Sequence, residues 1–162
     1  MIKLGKLKLT SLFKQVTSES KQVKAYHIAR EHFGLREIRG NGHEPKILEF
    51  FNAVGHSWVK DDETAWCAAF VGACLEAAGI VSSRRLNARS YLEWGDPVSS
   101  PKEGDIVVFW RGSPKAATGH VAFFVKHNDN GDFIVLGGNQ SDMVNEQVYA
   151  KERVLSIRRY PE

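Results

Sequence analysis

With 162 residues, 43% of them hydrophobic and a quarter charged, the chain has the composition of one ordinary folded domain and is short for two. A formal charge of only +3 implies no strong polyanion partner, and with neither a nucleic-acid-binding motif nor a sustained basic face no nucleic-acid partner is expected. No stretch approaches the roughly 18 consecutive apolar residues of a membrane span, so no stable membrane insertion is expected.

The charge is uneven. Lys3, Lys6, Lys8, Lys14, Lys21 and Lys24 stand against the single acid Glu19, which sets residues 1–25 apart as a basic N-terminal arm before one domain over residues 26–162. The opening MIKLGKLKLTSLFKQV alternates lysines with apolar residues and lacks the unbroken apolar run of about 7–15 residues that a secretory leader needs. The expectation is a protein made in the cytoplasm without a signal peptide.

Helical spacing of Val23, Tyr26, Ala29 and Phe33 predicts a helix over Lys21–Phe33, stopped by Gly34. A second is predicted over Glu44–Val54, with Pro45 in its first turn and Ile47, Leu48, Phe51 and Val54 on one face. The stretch Thr64–Ala78 is apolar nearly all round and stops at Gly79, as a buried central helix would. Asp61, Asp62, Glu63 and Thr64 dress its start, with an Asp or Thr cap expected. A short helix over Asn87–Trp94 follows.

From Asp105 the pattern changes to short runs rich in Val, Ile and Phe: Ile106–Trp110, Val121–Lys126, Phe133–Leu136 and Val154–Ile157. Turn residues separate them, notably Asn128, Asp129, Asn130 and Gly131. Asp105 itself is expected to organise a turn. Helices followed by an antiparallel meander make an α+β domain, with N-terminal helices packed on an antiparallel sheet and the buried helix against one sheet face.

Cys67 falls in the first turn of that helix, where free N–H groups and the helix dipole favour an anion and ease thiolate formation. Cys74, two turns on, lies about 10 Å away along the axis, beyond the roughly 7 Å reach of a disulfide, and reads as core. His120 opens the strand expected to cover the helix, so it can face Cys67 as a base. Asn139 ends the next strand and can accept from one imidazole nitrogen, leaving the other for the thiol; Gln140 beside it is the reserve. Four histidines in the helical half, His27, His32, His43 and His56, lack a His-Glu-x-x-His pattern, so no metal site and no cofactor is expected. Of Trp58, Trp66, Trp94 and Trp110, Trp66 is the first choice for a cleft wall, with Gln140 a second substrate contact.

Taken in order, the blocks Asp62–Val71 (DETAWCAAFV), Pro101–Phe109 (PKEGDIVVF), Gly119–Phe123 (GHVAF) and Gly137–Gln140 (GGNQ) resemble the NlpC-type and CHAP cell-wall hydrolases. They are similar above all to a phage and prophage-associated branch with a Trp-Cys-Ala/Ser-Ala-Phe motif. Upstream, Gly34–Ile38 (GLREI) and Pro45–Ile47 resemble the corresponding part of that branch. The resemblance implies a papain-like fold and hydrolysis of an amide in peptidoglycan, within the stem peptide or between the lactyl group and L-alanine. The family nucleophile maps to Cys67 and its base to His120, while the third member varies among such enzymes. It implies action at the bacterial cell wall or periplasm after release or injection, as a lysis enzyme, a virion-associated enzyme or a toxin; the last would add an inhibitor or immunity protein as partner. Two other readings remain open on sequence: a catalytically silent wall-binding or assembly module, and a papain-like acyltransferase or deamidase acting on a protein.

Overall fold

The computed structural model describes residues 19–162; most of the expected basic arm lies outside the described residues. Ordered structure begins on the arm's side of the boundary drawn at residue 25, because helix α1 spans Lys21–Glu31. Ser20 caps it, its hydroxyl accepting from Val23 N–H at 3.2 Å. Gln22, Ala25, Tyr26 and Ala29 form its buried stripe. Helix α2, Pro45–Ala53, starts on its proline and buries Ile47, Phe50 and Phe51.

Helix α3, Cys67–Ala77, buries every residue from Cys67 to Leu75. Eleven residues are marginal as an isolated helix, so burial holds it, at about 1.5–3 kcal/mol for each large side chain such as Phe70 or Leu75. Its start departs from expectation. No side chain caps Trp66, the N-cap residue, and the first turn contains no acid. Asp61 instead binds Thr64 N–H and hydroxyl. Asp62, fully buried, accepts from Ile38 N–H at 2.9 Å and Glu44 N–H at 2.8 Å, tying down the segment before α2. The helix thus enters the core with its first amides free of side-chain acceptors. At Gly72 a Cβ would stand 2.6 Å from Val54 Cγ1, so the absence of a side chain lets α2 and α3 approach.

One antiparallel sheet carries the rest, in the order β1-β6-β2-β3-β4-β5. Its strands are β1 (Asp96–Pro97), β2 (Ile106–Trp110), β3 (Gly119–His127), β4 (Phe133–Gly137), β5 (Asn145–Tyr149) and β6 (Val154–Arg159). The expected meander holds from β2 to β4 and runs on into β5, whereas the last expected strand, β6, crosses back to pair with β2 instead of continuing it. Two of the strands, β1 and β5, were not anticipated. The expected helix at Asn87–Trp94 is a 3-10 turn over Ala88–Glu93. Alternation divides the sheet: Ile106, Val108, Val121, Phe123 and Leu136 join the main core with the helices. Val107, Phe109, Ala122, Phe124, Val135 and Tyr149 form a second core on the other face. Among the described residues no helix is long and apolar enough to cross a membrane.

Candidate active site

Pairing of β2 with β3 sets Phe109 opposite His120 and Trp110 opposite Gly119. His120 is therefore the second residue of its strand, and its ring lies in the second core, stacked on Tyr149 with centroids 4.9 Å apart and planes 7° apart. It is fully buried. Its Nε2 lies 2.9 Å from Gln140 Oε1. The amide of Gln140 cannot be turned round, because its nitrogen donates to Asn145 O at 2.7 Å and Asn145 Oδ1 at 3.0 Å. Asn145 Nδ2 in turn donates to Gln140 O at 3.0 Å. An oxygen thus faces the imidazole and can only accept, so Nε2 carries the proton and Nδ1 its lone pair.

Gln140, not Asn139, is the side chain that orients the histidine. Asn139 occupies a left-handed turn position at φ 56°, and among the described residues its side chain forms no hydrogen bond with His120. Gln140, expected to touch substrate, is instead committed to this network and buried. Trp66 is a second correction: it is fully buried, donates to Glu37 Oε1 at 2.6 Å and packs on Phe50 and Phe70, so it is core and not cleft wall. Helix geometry explains it, since neighbouring residues point about 100° apart and the face that presents Cys67 turns Trp66 inward.

Cys67, 5% exposed, lies where β3 passes the start of α3, its sulfur against the N–H of Val121, the residue after His120. Burial pushes the thiol above its ordinary range, opposed by the Val121 amide, the Arg111 charge and the amides of Ala68 and Cys67 itself. Burial also pushes His120 down to about 3; the Gln140 bond opposes this and the charges of Arg111 and Arg153 add to it. Both shifts favour the uncharged form of each group. Among the described residues no hydrogen bond joins them. Nδ1 faces Arg111 Nη2 at 3.5 Å, a distance longer than a good hydrogen bond.

Arg111 was not singled out by sequence, although the β2–β3 register places it just beyond Trp110 at the rim. Its turn is fixed from outside: Arg89 donates to the carbonyls of Thr118, Pro114 and Ser113 at 2.8, 2.9 and 3.1 Å. Thr118 Oγ1 closes the turn on Arg111 O at 3.0 Å. Arg153 donates from Nε to Trp110 O at 3.1 Å and lies 5.5 Å from the ring centroids of both Trp110 and Tyr149. Burial raises the Tyr149 hydroxyl above its ordinary range, and the Arg111 guanidinium beside it opposes the shift. A cavity of about 560 Å³ lined by Gln22, Asp105, Arg159 and Tyr160 shares no residue with this site. Among the described residues no group of three or more His, Cys, Asp or Glu side chains is placed to hold a metal ion.

A crystal structure described as similar to lipoprotein, NLP/P60 family, from Staphylococcus aureus subsp. aureus Mu50 superposes with a TM-score of 0.55 at 15% identity, over 90% of this chain and 45% of that one. The chain thus spans less than half the length of that structure, and the likeness shows the fold: papain-like α+β, with helices against an antiparallel sheet. No curated protein matches in sequence. A family model described as CHAP domain matches residues 59–139, half of the chain, taking in both Cys67 and His120 and stopping one residue short of Gln140. The chain belongs to the CHAP domain family.

Proposed function

We propose that this protein hydrolyses an amide bond of peptidoglycan through Cys67, His120 and Gln140. CHAP domains are typically cysteine peptidases or amidases acting on peptidoglycan. The observation that carries the reading is the imidazole fixed by Gln140 and Asn145, with its free nitrogen left unprotonated one peptide bond from the residue that touches the Cys67 sulfur.

In the mechanism, Nδ1 of His120 takes the Cys67 proton as Sγ forms a bond to the amide carbon. Apo sites of this type are often loosely aligned and tighten in the substrate complex, so the missing thiol–imidazole hydrogen bond is compatible with the role. The carbonyl electrons move onto oxygen, and amides at the uncapped start of α3, that of Cys67 first, stabilise the oxyanion. The imidazolium returns its proton to the leaving nitrogen as the C–N bond breaks. Water then gives a proton to the same imidazole, attacks the thioester and releases the acid, restoring the thiol.

Mass spectrometry of purified peptidoglycan after incubation with wild type and a folded Cys67→Ala variant tests this. New muropeptide ends are expected with wild type alone. An end within the stem peptide identifies an endopeptidase, whereas a freed lactyl carboxylate identifies an N-acetylmuramoyl-L-alanine amidase. Equal cleavage by both proteins, or by neither, would sink the proposal.

A further inference from the structure

We infer that Arg111 is a specificity-determining residue, which binds a carboxylate of the substrate beside the scissile amide and, in turning to it, uncovers Nδ1 of His120. The inference rests on the peptide-hydrolase reading above and names the charge of the substrate.

Three observations meet at this side chain. First, among the described residues the ion pairs engage Arg30, Arg39, Arg84 and Arg159, along with Lys46, His27 and His43, and neither Arg111 nor Arg153 has a carboxylate partner. Two arginines whose charges act on the buried His120 thus lack a carboxylate, in a chain whose other half-buried arginine near a carboxylate, Arg159, grips Asp105 with two bonds of 2.8 and 2.6 Å. Second, Arg111 is placed rather than loose. Its backbone is set by the Thr118 contacts within a turn that Arg89 holds from outside, so only the side chain has to turn toward a substrate group. Third, its closest approach to the histidine is to the one nitrogen that must be free for catalysis, and it approaches as a donor at 3.5 Å. That contact is too long to hold the guanidinium against a bidentate carboxylate, whose charge-assisted bonds are about twice as strong as neutral ones.

Arg153 has a different part. Its Nε is engaged by Trp110 O and its plane lies near two rings, so it braces the wall while adding positive potential. A carboxylate that reaches Arg111 while the amide carbon sits at Cys67 belongs to a part of the substrate near the cleaved bond, because the Arg111 charge acts on the Cys67 thiol. Wall stem peptides offer this group as the free carboxylate of D-glutamate or of diaminopimelate, and both are amidated in some walls.

The test compares hydrolysis of four synthetic N-acetylmuramoyl stem peptides, which contain both the lactyl–L-alanine amide and the peptide bonds of the stem, carrying acid or amide at the D-glutamate position and acid or amide at the diaminopimelate position. Wild type, Arg111→Gln and Arg111→Lys are assayed on each. Loss of one charge-assisted contact predicts a drop in kcat/KM of about 10- to 100-fold for wild type when the relevant carboxylate is amidated. The position at which this happens identifies the group. Arg111→Gln should erase the preference by slowing the acid substrate alone, and Arg111→Lys should keep part of it. Wild-type indifference to amidation at both positions overturns the inference without any variant, and leaves the hydrolase reading standing. An equal loss on acid and amide substrates with Arg111→Gln also overturns it, because the charge would then serve the thiol and not the substrate. Failure of wild type to cut any of the four removes the hydrolase reading and the inference together.

Discussion

At the scale of single residues, the site depends on which atom of a side chain faces which neighbour. Asn139 and Gln140 are adjacent and both carboxamides, and sequence favours Asn139 because strand ends usually present the next residue to their neighbour. What sequence does not carry is the turn: Asn139 adopts φ 56°, a conformation asparagine tolerates better than most residues, and this passes the inward position to Gln140. The positions of Cys67 and His120 are legible because a cysteine at a helix start and a histidine near a strand start are local patterns. Asn145, Arg111 and Tyr149 are not legible, since each acts across the sheet. Burial of His120 has a consequence for stability that can be read directly. Its folded pKa, about 3, lies below its ordinary 6.5, so between those values the unfolded chain binds a proton that the native protein refuses. Stability therefore falls as pH falls through this window, by up to about 1.4 kcal/mol per pH unit. Urea unfolding at pH 7 and pH 5 should show wild type losing about 2 kcal/mol more than His120→Gln, carboxylate effects being common to both. Parallel losses in the two proteins would mean that His120 titrates no differently when folded.

At the scale of elements, the placement of α3 and the end of β4 decide whether His120 and Cys67 share a site. The helices and the first three long strands were legible to within a few residues, because apolar periodicity and turn chemistry there agree with the tertiary packing. Strand β5 was not. Its sequence Asn145-Glu146-Gln147-Val148-Tyr149 alternates exposure at a sheet edge and has no apolar run, yet it supplies both Asn145 and Tyr149. Trp66 was misjudged for a related reason: adjacency to the nucleophile in sequence says nothing of direction. Its true partner is Gly138, just beyond β4. A Cβ at Gly138 would stand 2.6 Å from Trp66 Cζ3 and 2.8 Å from Phe70 Cβ. Trp66 cannot yield easily, being held by Glu37 on one side and packed on Phe50 and Phe70 on the other. Gly138→Ala should therefore destabilise the fold by about 1–3 kcal/mol through overpacking, and should push the β4 end, with Gln140, out of line with His120. Urea midpoint and hydrolysis rate should fall together. A midpoint within experimental error of wild type would show that the helix–strand contact is looser than these distances.

Over the whole molecule, one buried side chain joins the first helix to the segment after the last strand, with the Lys21 N–H donating to Glu162 Oε1 beside it at 3.0 Å. Gln22, 5% exposed, donates from Nε2 to Gly104 O at 2.9 Å and accepts at Oε1 from Tyr160 N–H at 2.6 Å. Gly104 leads into β2 and Tyr160 follows β6, so α1, the central strand and the returning strand are fixed to one another at a single amide. Arg159 reinforces this corner by its two bonds to buried Asp105, whose Oδ2 also accepts from Lys102 N–H at 2.7 Å. Sequence gave the turn at Asp105 but not Gln22, which sits among lysines in what charge alone marks as an arm. Gln22→Leu keeps the volume approximately and leaves a carbonyl and an amide without partners, each worth about 1–3 kcal/mol when buried. With Gln22 and Tyr160 both lining a cavity, the lower part of that range applies, about 2 kcal/mol in all, or a Tm lower by about 4–8 °C for a domain of this size. The His120–Gln140–Asn145 network shares no residue with this corner, so hydrolysis well below the transition should stay at the wild-type rate. A lowered rate with unchanged Tm would reverse the assignment and make the corner part of the site, whereas a lowered Tm with an unchanged rate separates the device that closes the fold from the one that does the chemistry.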